Sequence, residues 1–295
     1  MKTKWHISFD AYDVPGGAST ILEPAGCGSD VAYVLEVSVL KEIYVKVELD
    51  DGDPRIAKLH ELLNRYGIKP KEFDYIEYSD DDLQKSRLLW MHRDIREYVS
   101  AGLMEGTKYD MEAACPNCGT GARQTSALYI DSEHRSRLRK HRAIGTWDGD
   151  VLVDGGMAKK LKDANVTGIS FGEVRARLKN KKWSMVAREQ ILISHTMPPM
   201  RSDLANEDPK YLCKVCQRGG RMYLPDKPYR VEDLEGMQDF NVTWEWFGEF
   251  WPKPKEKKRH AKRPSPGVLV TPKVMNIFRE AGVKTFDWTP VFIEE

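Results

Sequence analysis

Two Cys-x-x-Cys pairs constrain the fold of this chain more than any other feature of its sequence. The first runs from Cys115 to Cys118 and the second from Cys213 to Cys216, so the pairs use four of the five cysteines. Two intervening residues allow both sulfurs of a pair to point at the same ion, and four thiolates in a tetrahedron are the ligand set of a structural Zn²⁺. The spacing therefore predicts one metal site, formed by all four cysteines and holding a single structural Zn²⁺ ion.

A shared ion would join segments separated by 94 residues, which is more than the usual spacing in a zinc ribbon. The alternative is two separate sites completed by histidines, at spacings that match no standard zinc finger: His134 and His141 after the first pair, His195 and His260 around the second. A redox function like that of thioredoxin would require a cysteine at the start of a helix. Because no clear helical pattern follows either pair, we favour the shared metal site over redox chemistry and over a chain without metal.

The composition is that of a globular protein with a substantial core, since 41% of the residues are hydrophobic and eight are Trp. No run of 18 apolar residues is present, and the amino terminus leads into no apolar signal region. Cys-x-x-Cys pairs in a chain without a secretion signal are typical of a reducing compartment. We therefore expect a soluble, cytoplasmic protein that does not act at a membrane.

The net charge of +1 conceals an asymmetry along the chain. Residues 1–110 carry 14 Lys and Arg against 21 Asp and Glu, a balance of −7, whereas residues 111–295 carry 32 against 24, a balance of +8. Opposite blocks of this kind indicate two domains, an acidic surface for a basic partner, or two halves that attract each other.

The carboxy-terminal half contains an internal repeat, in which residues 151–174 align without gaps with residues 268–291. Each copy has an apolar stripe at helical spacing, followed by an alternating pattern typical of a strand. Each also has an N-cap residue before the stripe and a residue that tolerates the left-handed conformation after it: Asp154 and Asn165 in the first copy, Thr271 and Gly282 in the second. Each copy is therefore predicted to form a strand, a helix of about ten residues and a second strand.

These patterns predict an α+β protein with three regions. Residues 1–104 form an amino-terminal α+β region, and residues 105–180 and 181–295 each form a zinc knuckle followed by a β-α-β repeat, with one four-cysteine metal site shared between them. Within the first region, residues 31–49 alternate like two strands, and Asp53-Pro54 opens an amphipathic helix that Gly67 closes. Ser79 and the acids after it predict a further helix that runs to about Tyr98.

No catalytic constellation is recognisable. The chain has no phosphate-binding loop of the Walker type, no G-x-G-x-x-G after a strand, no G-x-S-x-G and no H-E-x-x-H. Cys27 lies between two glycines and is a weak candidate for an exposed nucleophile. The acidic runs 50–53 and 80–82 could hold Mg²⁺ or Ca²⁺, but their positions just before predicted helices favour capping.

Nucleic-acid binding by zinc knuckles is the competing function. A basic patch and an aromatic run that could stack bases support it: Lys255, Lys257, Lys258, Arg259, Lys262 and Arg263 in the patch, and Trp244, Trp246, Phe247, Phe250 and Trp251 in the run. The pI of about 7.6 is low for a dedicated nucleic-acid-binding protein, and aromatic runs more often form cores or interfaces.

The carboxy-terminal part of the chain, about residues 105–295, resembles the bacterial double-CxxCG proteins, which are grouped with immunity proteins of polymorphic toxin systems. The matching elements are Cys115-Pro-Asn-Cys-Gly119, the later pair from Cys213 to Cys216, and the closing segment 274–291 with its Phe-Arg-Glu-Ala-Gly-Val sequence. Where the first pair is followed by Gly119, the second is followed by Gln217. The resemblance implies a zinc-ligand role for the four cysteines and a non-enzymatic protein that binds and blocks one cognate toxin.

We therefore expect a zinc-stabilised protein that binds another protein, either a cognate toxin or a subunit of a complex. For a basic partner the acidic amino-terminal region is the natural contact, because opposite potentials accelerate encounter. Aromatic residues that could instead anchor the partner are Phe240, Trp244, Trp246 and Trp251.

Overall fold

The protein divides into two compact units, Met1–Asp82 and Leu83–Glu295. This division comes from a computed structural model, which describes residues 1–37, 41–94, 96–131, 135–177, 183–201, 210–222, 224–249 and 264–295. In those ranges, no helix has both the length and the apolar character needed to cross a bilayer.

The first unit is a four-stranded antiparallel sheet with two helices. Its elements in chain order are β1 (Lys2–Asp10), α1 (Ser19–Ala25), β2 (Ala32–Val37), β3 (Glu42–Asp50), α2 (Pro54–Arg65) and β4 (Lys71–Glu77). The sheet order β2-β3-β1-β4, with all neighbours antiparallel, is that of a split β-α-β sandwich. The two strands predicted within residues 31–49 are therefore confirmed as β2 and β3.

The helices cover one face of this sheet because apolar residues alternate along its central strands. Val45, Val47 and Leu49 of β3 are buried and pack with helix residues such as Ile21 and Leu59. Each such side chain contributes about 1.5–3 kcal/mol when it is removed from water. The side chain of Asp53 accepts a hydrogen bond from the Arg55 N–H, which confirms the predicted start of α2.

The helix predicted to run from Ser79 to Tyr98 is wrong beyond its first turns. Helix α3 (Asp80–Lys85) spans the boundary between the units and ends early. Residues Leu89–Arg93 form strand β5, which pairs with two strands from the carboxy-terminal end of the chain. Leu89 and Met91 are buried there with a period of two, so tertiary pairing overrides the helical propensity of the segment.

The second unit contains two larger sheets and two short strand pairs. After β5 its strands are β6 (Tyr98–Val99), β7 (Tyr109–Asp110), β8 (Arg123–Gln124), β9 (Leu128–Ile130), β10 (Ala143–Thr146), β11 (Val151–Val153), β12 (Ile169–Arg177), β13 (Trp183–Ile193), β14 (Gly219–Arg221), β15 (Tyr229–Arg230), β16 (Phe240–Phe247), β17 (Ser265–Val270), β18 (Phe286–Pro290) and β19 (Ile293–Glu294). Its helices are α4 (Arg135–Lys140), α5 (Gly155–Asp163) and α6 (Pro272–Glu280), with 3-10 turns at Gly102–Glu105 and Val231–Leu234.

One sheet has the order β6-β10-β11-β13-β12-β9 and the other the order β14-β16-β17-β5-β18, while β7-β8 and β15-β19 form the short pairs. Each large sheet combines strands from more than one of the three regions that the sequence predicts. Strand β5 comes from the predicted amino-terminal region but lies in the second sheet, and β13 comes from the predicted third region but lies in the first sheet. The mixed helix and sheet content agrees with the predicted α+β class.

Both predicted strand–helix–strand segments are present, as β11-α5-β12 and β17-α6-β18. In each, an antiparallel strand lies between the two strands that the helix connects. Asp154 caps α5 by accepting the Met157 N–H, and Asn165 and Gly282 have the positive φ expected of residues that end helices. The hydroxyl of Thr271 instead donates to the Asp239 carboxylate, so its predicted capping bond is not formed.

Candidate metal centre

The two Cys-x-x-Cys pairs meet in the second unit. The first pair lies in the loop between β7 and β8, and the second precedes β14. The Sγ atoms of all four cysteines lie within 4.8 Å of one another. The Sγ–Sγ distance is 3.8 Å between Cys115 and Cys213 and 3.6 Å between Cys118 and Cys216. A tetrahedron of sulfurs at about 2.3 Å from a central ion has edges of about 3.8 Å, so the cluster could hold a metal ion.

Both knuckles use the same backbone turn. The N–H of Gly119 donates to the Cys115 carbonyl at 2.8 Å, and the N–H of Gln217 donates to the Cys213 carbonyl at the same distance. Gly119 has a φ of 76° and Gln217 a φ of 53°, both in the left-handed region. The second knuckle therefore has the geometry of a CxxCG turn although its sequence departs from that pattern.

This backbone conformation is unfavourable for glutamine, because the left-handed region costs about 1–2 kcal/mol for a residue that has a Cβ. We expect Gln217→Gly to raise the free energy of unfolding of the second unit by about 1 kcal/mol, measured by urea unfolding of the metal-loaded protein. Lys214→Gly is the matched control, since Lys214 is exposed in the same knuckle and has no positive φ. It should lower stability, and equal effects of the two glycines would contradict the prediction.

Burial and hydrogen bonds shape the ionisation of the thiols. Cys213 is fully buried, and Cys115 and Cys118 are nearly so, whereas Cys216 is half-buried. Burial raises the pKa of Cys118 far above its usual range and also raises the pKa of Cys216. For Cys213, burial acts in the same direction, but the Asn117 amide at 3.3 Å and backbone N–H groups lower its pKa to about 6.

Polar groups around the cluster support its sulfurs, as outer-shell groups do in metal sites. The hydroxyl of Thr120 lies 3.1 Å from the Cys118 Sγ, and the Asn117 amide donates to Cys213. Arg218 follows the second knuckle, with its guanidinium 4.9 Å from the centre of the Trp244 ring and its Nε donating to the Trp244 carbonyl. Four thiolates and a divalent ion carry a charge of −2, which this half-buried cation partly offsets.

The described histidines take no part in the cluster. His195 Nδ1 lies 2.7 Å from the Asn241 side-chain oxygen, and His141 faces Glu97 at 3.3 Å. His134 and His260 lie outside the described residues. The four cysteines form a single group, which favours one shared site over two Cys/His sites.

The other sequence candidates have structural roles. Cys27 is buried in the core of the first unit, and burial raises the pKa of its thiol, as expected for a core residue rather than a nucleophile. Asp53 caps α2, and Asp82 accepts hydrogen bonds from the backbone and side chain of Ser79. The capping interpretation of the acidic runs is thereby confirmed at these two residues.

Two residues of the aromatic run, Trp244 and Phe247, pack within the second unit, as does Phe240, one of the expected partner anchors. Phe240 is fully buried, so it cannot serve as a surface anchor and that expectation is wrong. Phe247 packs edge-on against Trp90 with ring centres 5.2 Å apart, and Trp244 lies under Arg218. Phe250, Trp251 and the basic patch from Lys255 to Arg263 lie outside the described residues.

Sequence reasoning missed a cleft of about 610 Å³ beside the metal cluster. Residues 121–124 after the first knuckle and Arg218 after the second line it, together with parts of both large sheets. On its wall, the side-chain amides of Gln124 and Gln190 donate to each other's oxygens at 2.8 and 2.9 Å, and Gln190 also donates to Asp150 at 2.8 Å. No local pattern signals this network, because its members are up to 66 residues apart.

Glu245 is a buried carboxyl close to the second knuckle. It is 2% exposed, one oxygen accepts the Met200 N–H at 2.7 Å, and the other oxygen has no hydrogen-bond partner among the described atoms. Burial raises its pKa, although the Met200 N–H and the cations Arg221 and Arg218 act in the opposite direction. When folding raises the pKa of a carboxyl, its contribution to the free energy of unfolding is fully present below the unfolded pKa of about 4.3. That contribution is lost as the pH rises through the pKa of the folded state.

Glu245→Gln removes this charge and should therefore stabilise the protein increasingly as the pH rises. We expect no gain near pH 4 and a gain of about 1–2 kcal/mol at pH 8, the cost of a buried polar group that is incompletely paired. Urea unfolding of wild type and variant across this range measures the difference. Glu280→Gln, at an exposed position in α6, should show no such pH dependence. A gain in the free energy of unfolding that is constant with pH would contradict a raised pKa for Glu245.

Comparison of the chain with models of known protein families gives no match, and comparison with curated protein sequences gives none either. The resemblance to the double-CxxCG proteins accordingly stays a prediction.

Proposed function

We propose that this protein is a zinc-stabilised, non-enzymatic protein of the cytoplasm that acts by binding another protein. The observation that carries the proposal is the cluster of four cysteines from two distant segments, three of them buried. Soft thiolate ligands at tetrahedral spacing favour Zn²⁺, and a set of four protein ligands, which fills the tetrahedron, is typical of structural zinc rather than catalytic zinc. Such a site makes the loops rigid and leaves the surface free to vary for a partner.

We also infer that the second unit arose by duplication of a module. The order β10-β11-β13-β12 in one sheet corresponds to β16-β17-β5-β18 in the other, with a helix after β11 and after β17. Each half also contributes one knuckle with the same backbone turn. Replacing residues 155–163 by the sequence of 272–280 tests the relation. A folded, metal-binding chimera supports it, whereas a chimera no more stable than one carrying a shuffled sequence of the same composition contradicts it.

The candidate partner is a toxin of the class that the double-CxxCG resemblance implies, and a subunit of a complex is the other protein candidate. The first unit carries 9 Lys and Arg against 17 Asp and Glu, a balance of −8, which favours a basic partner. Nucleic-acid binding stays the alternative function. Phe247 and Trp244 pack within the unit, which leaves these two rings less surface for stacking bases and favours a protein partner.

Capture with the metal-loaded full chain as bait tests the proposal. We expect a captured protein that forms a stoichiometric complex when both components are purified, and co-expression that restores growth if the partner is a toxin. A single-stranded oligonucleotide is the second probe. Tight binding of the oligonucleotide with a steep loss in salt, and no stoichiometric protein complex, would replace this proposal with the nucleic-acid alternative.

A further inference from the structure

Strand β2 is an edge strand with apolar residues exposed on both faces. The sheet order places it at the end of the four-stranded sheet, with β3 as its neighbour on one side. Tyr33, Val34 and Leu35 are 55%, 45% and 44% exposed. Natural edge strands are usually protected by lysine, proline, bulges or a covering element, and β2 has the sequence Ala-Tyr-Val-Leu-Glu-Val with one charge.

The exposed residues extend onto the open face of the sheet. Tyr33 and Leu35 point away from the helices, and Leu35 lies opposite Tyr44 of β3, which is 39% exposed. We call Tyr33, Val34, Leu35 and Tyr44 the β2 patch. Tyrosines with exposed rings are enriched at protein interfaces, because they bury a large area at a low entropic cost.

A groove of about 350 Å³ adjoins the amino-terminal end of β2. It is lined by Val31 and the first two residues of the strand, and by both acids and bases, with Asp30 and Asp50 among the acids. The Asp30 side chain is 68% exposed, and its carboxylate lies 3.5 Å from the Arg55 guanidinium. The groove thus offers carboxylates to a basic side chain of a segment that lies along β2.

The charge of the first unit distinguishes between three candidate occupants of the β2 patch: a nucleic acid, a second copy of the chain and a basic protein. The balance of −8 in residues 1–82 repels the phosphates of a nucleic acid, although a four-stranded sheet with an open aromatic face can serve as a surface for RNA. A second copy would bring two units of −8 together at this edge. A basic protein is attracted instead, and the geometry of an edge strand selects an extended segment.

We propose that β2 accepts an added strand from a basic partner protein, with apolar side chains of that strand on the β2 patch and a lysine or arginine toward Asp30 and Asp50. This assignment rests on the proposed function in that the partner is a protein. It goes further by placing the contact on β2 and by stating the chemistry of the segment that binds.

The probe is a fluorescent, end-capped nonapeptide of alternating valine and lysine, titrated into the metal-loaded full chain and followed by anisotropy. We expect binding that weakens at least fivefold between 50 and 500 mM NaCl. A valine–glutamate peptide of the same length should bind at least tenfold more weakly. Bound peptide should also slow hydrogen exchange of the backbone amides of residues 32–37.

Variants locate the contact. Tyr33→Ala combined with Leu35→Ala should weaken binding at least tenfold, while Phe73→Ala on the opposite edge strand, 56% exposed in wild type, should change it less than twofold. Should the double variant misfold, Val34→Lys puts a charge on the same edge and should also weaken binding at least tenfold.

Failure of the lysine peptide to bind, equal binding of both peptides, or binding unaffected by the β2 variants would overturn the proposal. Dimerisation of the chain that is lost in the β2 variants would assign the patch to a second copy, and RNA that competes with the peptide would assign it to nucleic acid. A captured partner that binds wild type and double variant equally would overturn the β2 assignment while leaving the protein-binding function intact.

Discussion

Cys213→Ser is expected to abolish metal binding and to unfold much of residues 83–295 while residues 1–82 stay folded. Cys213 is the most buried of the four clustered cysteines, and its loss leaves a cluster with three thiols. A metal site forms only in the folded chain, so its binding free energy is folding free energy. The first unit has its own hydrophobic core and contributes none of the four cysteines.

The expected loss of stability in the second unit is on the order of 5 kcal/mol. It should be smaller than the about 10–16 kcal/mol that zinc supplies to finger peptides, because the described residues of the second unit also form apolar clusters of their own. Metal analysis measures ions per chain, with one expected in wild type and none in the variant. Hydrogen exchange then reports which unit has lost protection.

Cys27→Ala is the matched control, since Cys27 is a buried cysteine in the core of the first unit. It should leave metal content unchanged and destabilise residues 1–82 alone. One ion per chain in Cys213→Ser, or loss of the ion with no change in the stability of residues 83–295, would contradict a structural role for the site.

The sequence was sufficient to predict the four-cysteine cluster, because each Cys-x-x-Cys pair is a local property that a single turn satisfies and because one ion requires the thiols of both pairs. Helices α5 and α6 were predictable for the same reason, because their caps and stripes lie within about ten residues. The sequence shows that Gln217 stands where a CxxCG motif has glycine. Only the backbone shows that this glutamine nevertheless adopts the left-handed conformation of that glycine.

The errors concern pairing between distant segments. Acids and good helix formers precede residues 89–93, and nothing local shows that β17 and β18, about 180 to 200 residues away, will pair with this segment. The Gln124–Gln190–Asp150 network and the cleft depend on the same long-range assembly. Such features depend on which strands meet, and short-range periodicity carries no information about that choice.

Gly219→Ala should weaken metal binding although it replaces none of the four cysteines. Gly219 is a buried residue of β14, directly after the second knuckle. A Cβ at this position would lie 2.7 Å from the Cys118 Sγ and 3.2 Å from Pro264, and would also overlap the Thr120 hydroxyl. Its φ is outside the left-handed region, so the cost of the substitution is steric. Atoms around the new methyl group must shift, and a displaced Cys118 sulfur changes its distances to all three of the other cysteine sulfurs.

We expect metal affinity to fall 10- to 100-fold, as for changes to groups that support metal ligands, and stability to fall by about 1–3 kcal/mol from overpacking. Competition with a chromophoric chelator measures the affinity. Gly155→Ala is the matched control, since no atom lies within 4 Å of a Cβ placed there at the start of α5. It should leave metal affinity unchanged and stabilise the helix by about 0.5–1 kcal/mol.

A double variant separates displacement of the sulfur from general destabilisation. Thr120→Ala removes the hydroxyl that the new methyl group would overlap, so adding it to Gly219→Ala should restore part of the metal affinity. Thr120→Ala alone should weaken binding slightly, because its hydroxyl lies 3.1 Å from the Cys118 Sγ. A substitution that hurts alone but helps in combination is a coupling between contacting groups. Simple addition of the two losses would show that Gly219 acts on the fold rather than on the position of Cys118.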